Sequence, residues 1–281
     1  MKYKIISAIL VLALASLACG VTIPKSPTPQ AEITEQITVP APQSGGTLLT
    51  LAFGAGELNL SPAAQDNLVE GTATYNYSEL KPKVTTDGSN VRIQTGEGGL
   101  GSFPSFQQLK NTWDLKLSTA PMDLTIEAGA YTGVFELGGL ALSGLTVKDG
   151  AADVKLSFSS PNLAEMSILR YETGASNVKL SGLANANFNT LTFSSGAGDY
   201  TLDFSGQFRR DAAATIESGL SNMILVIPEG VHAVVTVESG ASNVNAGPGW
   251  TKNGNIYTQT GSGPTLTILI NMGAGNLTLT R

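Results

Sequence analysis

A seven-residue phrase returns along the chain and limits what the chain can fold into. It reads "GAGELNL" at Gly54, "GAADVKL" at Gly150, "GASNVKL" at Gly174, "GAGDYTL" at Gly196, "GLSNMIL" at Gly219, "GASNVNA" at Gly240 and "GAGNLTL" at Gly273. A looser copy, "GAYTGVFEL", begins at Gly129. From Gly129 onward the starts are separated by 21, 24, 22, 23, 21 and then 33 residues. A near-constant period in the twenties marks a fold built by stacking one unit on the next.

The phrase has a physical meaning. Gly, a small residue, then Asn or Asp predicts a turn with at least one left-handed position. The Asp/Asn side chain is expected to bond its own turn. The predicted turn residues are Gly54, Gly129, Gly150, Asp153, Gly174, Asn177, Gly196, Asp199, Gly219, Asn222, Gly240, Asn243, Gly273 and Asn276. After each turn comes an alternation such as Val-x-Leu, and before it another: "LTVKD", "LRYET", "LTFSS", "ATIES", "VTVES". Alternation of period two is the signature of half-buried strands, and helical spacing is absent. Charged residues are only 14% of the chain, and Gly, Ser, Thr and Asn fill the gap, which suits short strands and tight corners.

One such unit has no second layer to bury its apolar side against, whereas stacked units do. Parallel pairing would line up Val154, Val178, Tyr200, Met223 and Val244 as one inward column. The expected fold is all-β: a single-stranded parallel β-helix of about 21–24 residues per coil, right-handed by the chirality of parallel connections. An antiparallel sandwich is the alternative. "GPGWTKNGNIYTQTGSG" carries Asn253-Gly254 between Trp250 and Tyr257, a hairpin signal, and is expected to cap an exposed edge at about 247–263. Two residues before the phrase lie Glu127, Lys148, Glu172, Ser194, Glu217 and Glu238. Neighbouring coils would set Lys148 between two carboxylates and Glu217 beside Glu238, on a solvated face.

The N-terminus reads as an address. Lys2 and Lys4 precede an apolar run from Ile5 to Ala18, and Cys19, the only cysteine, follows Ser16-Leu17-Ala18. The run is too short to span a bilayer comfortably and fits a signal peptide. A lipobox ending on Cys19 would place a diacylglyceryl group there, enough for stable anchoring. The expected division is a lipoprotein signal peptide over 1–18, a Pro/Thr-rich disordered tether over 19–46, an N-terminal β region over 47–112 and the coils over 113–281. The expected location is the extracytoplasmic face of a bacterial cell membrane, with the membrane as a partner through Cys19.

Little in the chain points to chemistry. The net charge is −6, with no basic run, so nucleic acid is not an expected partner. His232 is the only histidine, and one imidazole builds neither a zinc site nor a triad. "GEGGLG" at Gly96–Gly101 lacks the helix a dinucleotide site needs, and "GASNV" lacks the closing Gly of a nucleophile elbow. The Asp/Asn positions recur too sparsely, and too often as Asn, for a calcium β-roll. Asp199 and Asp203 with Arg209 and Arg210 are the nearest approach to a glycan-cleaving cluster, with nothing fixing their geometry. No cofactor, metal or catalytic residue is expected.

"FGAGELNLSPAAQDNLVEGTATYNYSELKPKVTTDGSNVRIQTGEG" resembles the N-terminal segment of the bacterial toast-rack family. "AGDYTLDFSG" and "IESGLSNMILVIPEGVHAVVTVESGASNV" resemble its C-terminal half. "GW…NGNIYT" is similar to the LiaF-like cell-wall-active antibiotic response domain and to adhesin-like β-solenoids. Over Leu48–Arg281 the resemblance implies a stacked-strand extracytoplasmic protein with no established chemistry. LiaF-like regulators are multi-pass membrane proteins that restrain an envelope-stress kinase, whereas this chain offers a lipidated tether instead of a transmembrane bundle. The expected function is therefore non-catalytic binding or scaffolding at the cell surface, to wall glycan or an envelope protein. Envelope-stress sensing and a carbohydrate-active β-helix enzyme are the alternatives.

Overall fold

The computed structural model describes residues 28–42, 46–62, 64, 66–96 and 108–281, apart from the side chains of 239–242. The repeating unit is seen in β10 (Met166–Ser181). After buried Met166, its buried residues are Leu169, Tyr171 and Thr173, then Ser176, Val178 and Leu180. From Leu169 onward the period-two alternation slips once, at exposed Gly174-Ala175. A strand keeps one face toward the core only by bending there, so the phrase marks a corner between two arms of one continuous strand. β12 (Ala212–Val226) shows the same slip: Ala214, Ile216 and Ser218 are buried, then Ser221, Met223 and Leu225.

The units stack in register. β10 pairs in parallel with β11 (Phe188–Asp203), and β11 with β12, through both arms. Toward the N-terminus, β8 (Leu142–Asp149) and β9 (Ala151–Ser157) take the two arms of the coil between β10 and β7 (Met122–Glu136). Parallel register sets like residues side by side about 4.8 Å apart. The inward column Val154, Val178, Tyr200, Met223 and Leu277 is buried throughout, each large side chain contributing about 1.5–3 kcal/mol.

Both ends break chain order. β13 (His232–Ala246) does not stack on β12, because β16 (Thr265–Thr280) lies between them and pairs in parallel with each. Likewise β2 (Thr47–Pro62) lies between β7 on one side and β5 (Asn90–Gln94) and β6 (Asn111–Leu117) on the other. The first and last copies of the phrase are thus interior coils. Antiparallel strands close three of the four arm ends. β4 (Lys83–Asp87) pairs with β5. β3 (Asn67–Tyr75) pairs with β6, and β1 (Ile33–Pro40) with β3. At the other end β15 (Ile256–Gln259) pairs with the first arm of β13, and β14 (Trp250–Asn253) with β15, with Gly254-Asn255 as the turn. The all-β class holds, but a single-stranded parallel helix running in chain order does not describe both ends.

Three further expectations change. Residues 33–40, read as part of the tether, form β1, and Ile37 and Val39 are buried. Their alternation is a strand signal masked by the prolines on either side. Glu217 and Glu238 do not meet, since Asn271 of β16 stands between them. Lys148 does sit between Glu127 and Glu172, with its Nζ 3.8 Å from Glu172.

The third change concerns the corner. The first glycine of the phrase is not left-handed at any described copy; where the third residue is glycine, as at Gly56, Gly198 and Gly275, that residue takes φ of 125°, 149° and 129°. The first glycine is needed for close approach instead. A Cβ on Gly174 would lie 2.5 Å from the Gly150 carbonyl oxygen, and one on Gly196 would lie 2.7 Å from that of Gly174. Gly174 N–H donates to that same Gly150 oxygen at 3.1 Å. Glycine recurs because each corner backbone rests on the one before.

Candidate functional site

On the outer face of the second arm the Asp/Asn residues of the phrase form a ladder: Asp153, Asn177, Asp199, Asn222, Asn276 and Asn243, each paired in register with the next. All are exposed. The side-chain bonds they make run between coils and not, as the sequence suggests, to their own turn. Asn276 Nδ2 donates to Asn222 Oδ1 at 2.8 Å, and Asn222 Nδ2 donates to Asp199 Oδ1 at 2.9 Å. In-register stacking explains the difference, since it brings amides of neighbouring coils closer than the backbone of their own corner. The donor chain ends on the Asp199 carboxylate. Each amide keeps a second N–H, and Asp199 a second oxygen, outside this chain.

Two residues further along, Lys155, Lys179, Thr201 and Ile224 form a parallel column. Between the columns runs a groove of about 410 Å³ across four coils, with Val154, Val178 and Tyr200 between its walls. Asp and Asn alternate along one wall, and the other runs from two lysines through Thr201 to Ile224, which is 41% exposed.

A second cluster lies inside the corner and escaped sequence reading. Asp149 Oδ2 accepts from Tyr171 Oη at 2.8 Å and from Tyr131 Oη at 3.3 Å, while Asp149 Oδ1 accepts from Thr173 Oγ1. Thr173 also bonds Ser176, whose Oγ accepts the Ala152 N–H at 3.0 Å. Burial pushes the Asp149 carboxyl above the ordinary carboxylate range, against the pull of the hydroxyls from Thr173, Tyr171 and Tyr131. Burial likewise raises the Tyr171 and Tyr131 phenols. The seam continues as Ser195, Ser218 and Ser221, with Oγ–Oγ distances of 2.8 Å. The hydroxyls satisfy the polar atoms of a corner turned into the core, which is a structural role. The sequence signal was a Tyr within four residues of the corner glycine in three of the coils, at Tyr131, Tyr171 and Tyr200.

Other candidates stay apart. Asp203 caps the Ser205 N–H at 2.8 Å. Arg210 pairs with Glu165 at 3.0 Å and lines, with Arg209, a separate cavity of about 320 Å³. His232 begins β13, half-buried. Cys19 and most of the 96–101 glycine segment lie outside the described residues. Among the described residues, no group of three or more His, Cys, Asp or Glu could hold a metal, and no helix is long and apolar enough to cross a membrane.

Residues 28–168, just over half of the chain, match the family described as the N-terminal domain of toast_rack, DUF2154. The chain belongs to the toast-rack family. The match begins before β1 and continues into β10, beyond the 47–112 region expected for that domain. No curated protein matches the sequence. Among solved structures, the chain is similar to a "putative cell adhesion protein" from Clostridium sporogenes, at 21% identity and a TM-score of 0.48, covering 89% of this chain and 99% of that one. It is also similar to a "putative adhesin" from Bacteroides fragilis, at 11% identity and a TM-score of 0.41, covering 88% and 96%. A "putative lipid binding protein" from Parabacteroides distasonis aligns at 12% identity and a TM-score of 0.35, covering 88% and 96%.

Proposed function

We propose that this is a lipid-anchored, extracytoplasmic, non-catalytic protein that binds an extended partner, wall glycan or an envelope protein segment, along the second-arm groove. The stacked coils act as a β-solenoid whose flat outer face repeats one polar motif per coil. The observation that carries the reading is the Asp153–Asn243 ladder beside the groove: hydrogen-bonding groups recur at one strand spacing, which suits a polymer of similar rise. Lipidation at Cys19 would hold this face within reach of the wall, with the segment before β1 as the tether. The names of the structural relatives, which mention adhesion, agree with such a role.

Two experiments test it. Purified cell wall and membrane extract are incubated with the full chain and with a variant carrying Asp153→Lys, Asn177→Lys and Asp199→Lys. Retention by one material, lost in the variant, is expected; no retention by either refutes the reading. Cys19→Ala is expected to release the protein from the membrane fraction, and a variant that stays membrane-bound refutes the anchor.

A further inference from the structure

Four arm ends are exposed to edge-to-edge association, and three are blunted. β4 carries Lys83 and Asp87, β14 carries Lys252, and β1 carries Glu35 and ends at Pro40. Charge and proline on an edge strand are the usual guards against unwanted pairing. The fourth end is the second arm of β13, Asn243-Val244-Asn245-Ala246. It has neither guard. β16 pairs with it on one side, and among the described residues no strand pairs with the other. Its inner side is open too. Val244 and Ala246 are half-buried, whereas their partners on β16, Leu277 and Leu279, are completely buried. A slot of about 350 Å³, lined by Asn243, Val244, Lys252, Asn255 and Tyr257, runs beside this edge.

We propose that a second copy of this chain pairs with this edge, Val244–Ala246 against Val244–Ala246, antiparallel across a two-fold axis at Asn245, so that inward Val244 of each copy opposes inward Ala246 of the other. The uncharged edge is self-complementary, so a two-fold brings like residues together without repulsion and closes on itself. The other arrangement within one chain type is head-to-tail. β1 runs in the same direction as the coils, because it is two antiparallel steps from β6, and it could accept β13 in parallel. That contact would meet Glu35 and Pro40 and would propagate into a fibre. The two-fold pairing continues the second-arm sheet from one copy into the other and covers Val244 and Ala246. It doubles the length of the outer ladder and is independent of what that ladder binds.

The full chain bearing Cys19→Ala, so that neither thiol nor lipid joins copies, is sized in detergent by light scattering. Hydrogen exchange is followed at residues 243–246. Two chains per particle are expected, with exchange at 243–246 slowed at high protein concentration and faster on dilution. Asn243→Lys with Asn245→Lys is expected to give single chains with an unchanged melting temperature. Thr38→Lys, on the outer face of β1, is expected to leave the pair intact. A monomer at every concentration overturns the proposal. So does a pair that survives the β13 lysines, or one that Thr38→Lys dissolves. If the β13 lysines lower the melting temperature, the exchange measurement on the unsubstituted edge decides: rates independent of protein concentration overturn the pairing.

Discussion

Gly174→Ala measures how tightly the corners rest on one another. The new Cβ would stand 2.5 Å from the Gly150 carbonyl oxygen, where ordinary contact begins at 3.4 Å, so backbone must yield by almost 1 Å. Two bonds converge on that oxygen, from Gly174 N–H at 3.1 Å and Ala175 N–H at 3.0 Å. Opening the corner by that amount breaks or weakens both, at about 0.5–1.5 kcal/mol each. The strand on the far side, β11, opposes relief in that direction, because it pairs in register on both sides of this corner, Thr173 with Ser195 and Ala175 with Ala197. A loss of about 2 kcal/mol follows, equivalent to a fall of roughly 4–8 °C in melting temperature for a domain of this size. Gly46→Ala is the control, since nothing lies within 4 Å of its Cβ. Thermal unfolding by circular dichroism compares the two. Equal melting temperatures for Gly174→Ala and the unsubstituted chain would refute the stacked-corner geometry.

Two further outcomes are expected. Asn222→Asp replaces the donor to Asp199 with a second carboxylate; it should lower stability by about 0.5–1 kcal/mol at low salt and recover much of that in 0.5 M salt, as read by urea unfolding. For Asp149, the raised carboxyl pKa means that the native state binds the proton more tightly than the unfolded chain does. Stability from this group therefore grows as pH falls from the raised native value toward the ordinary 3.8. Asp149→Asn removes that titration, so the unfolding free energy of the unsubstituted chain minus that of the variant should increase across this window on acidification. A difference that is flat, or that shrinks, contradicts the assignment. Comparison with the variant is needed because Glu136 acts in the opposite sense: burial raises its pKa, but bonds from Ser157, Ser159 and Gly138 outweigh burial and lower it.

The strands and the existence of repeated corners were legible from the phrase because period-two alternation and glycine are local signals. The slip of phase at Gly174-Ala175 is also local, and "LRYETGASNVKL" shows it once Tyr171, Thr173, Ser176 and Val178 are taken as one face. Why glycine is there was not legible, since its constraint is a carbonyl 24 residues away in the chain rather than its own φ. Stacking order was equally hidden. Leu266, Ile268 and Ile270 would read the same in a terminal coil as in the interior position they occupy, because alternation records burial and not the identity of the neighbour. The long interval before Gly273 held the only hint, as it leaves room for β14 and β15 to turn back before β16 enters. The candidate groove was half-legible. The Asp/Asn recurrence was visible, but its use as a ladder between coils depends on the register.

The placement of β16 is open to a direct measurement, and the ladder and the groove beside it both depend on it. In the Cys19→Ala chain, which has no other cysteine, pairs of cysteines are introduced at ladder positions and oxidised. Asn222 and Asn276 are register partners, as are Asn276 and Asn243, at the parallel spacing of about 4.8 Å that a disulfide can bridge. Asn222 and Asn243 are two strands apart, near 10 Å by the same spacing, beyond its reach. Asn222→Cys with Asn276→Cys should form an intramolecular disulfide, and Asn222→Cys with Asn243→Cys should not. The reverse result would place β13 directly on β12 and dismantle the stacking order together with the binding face built on it.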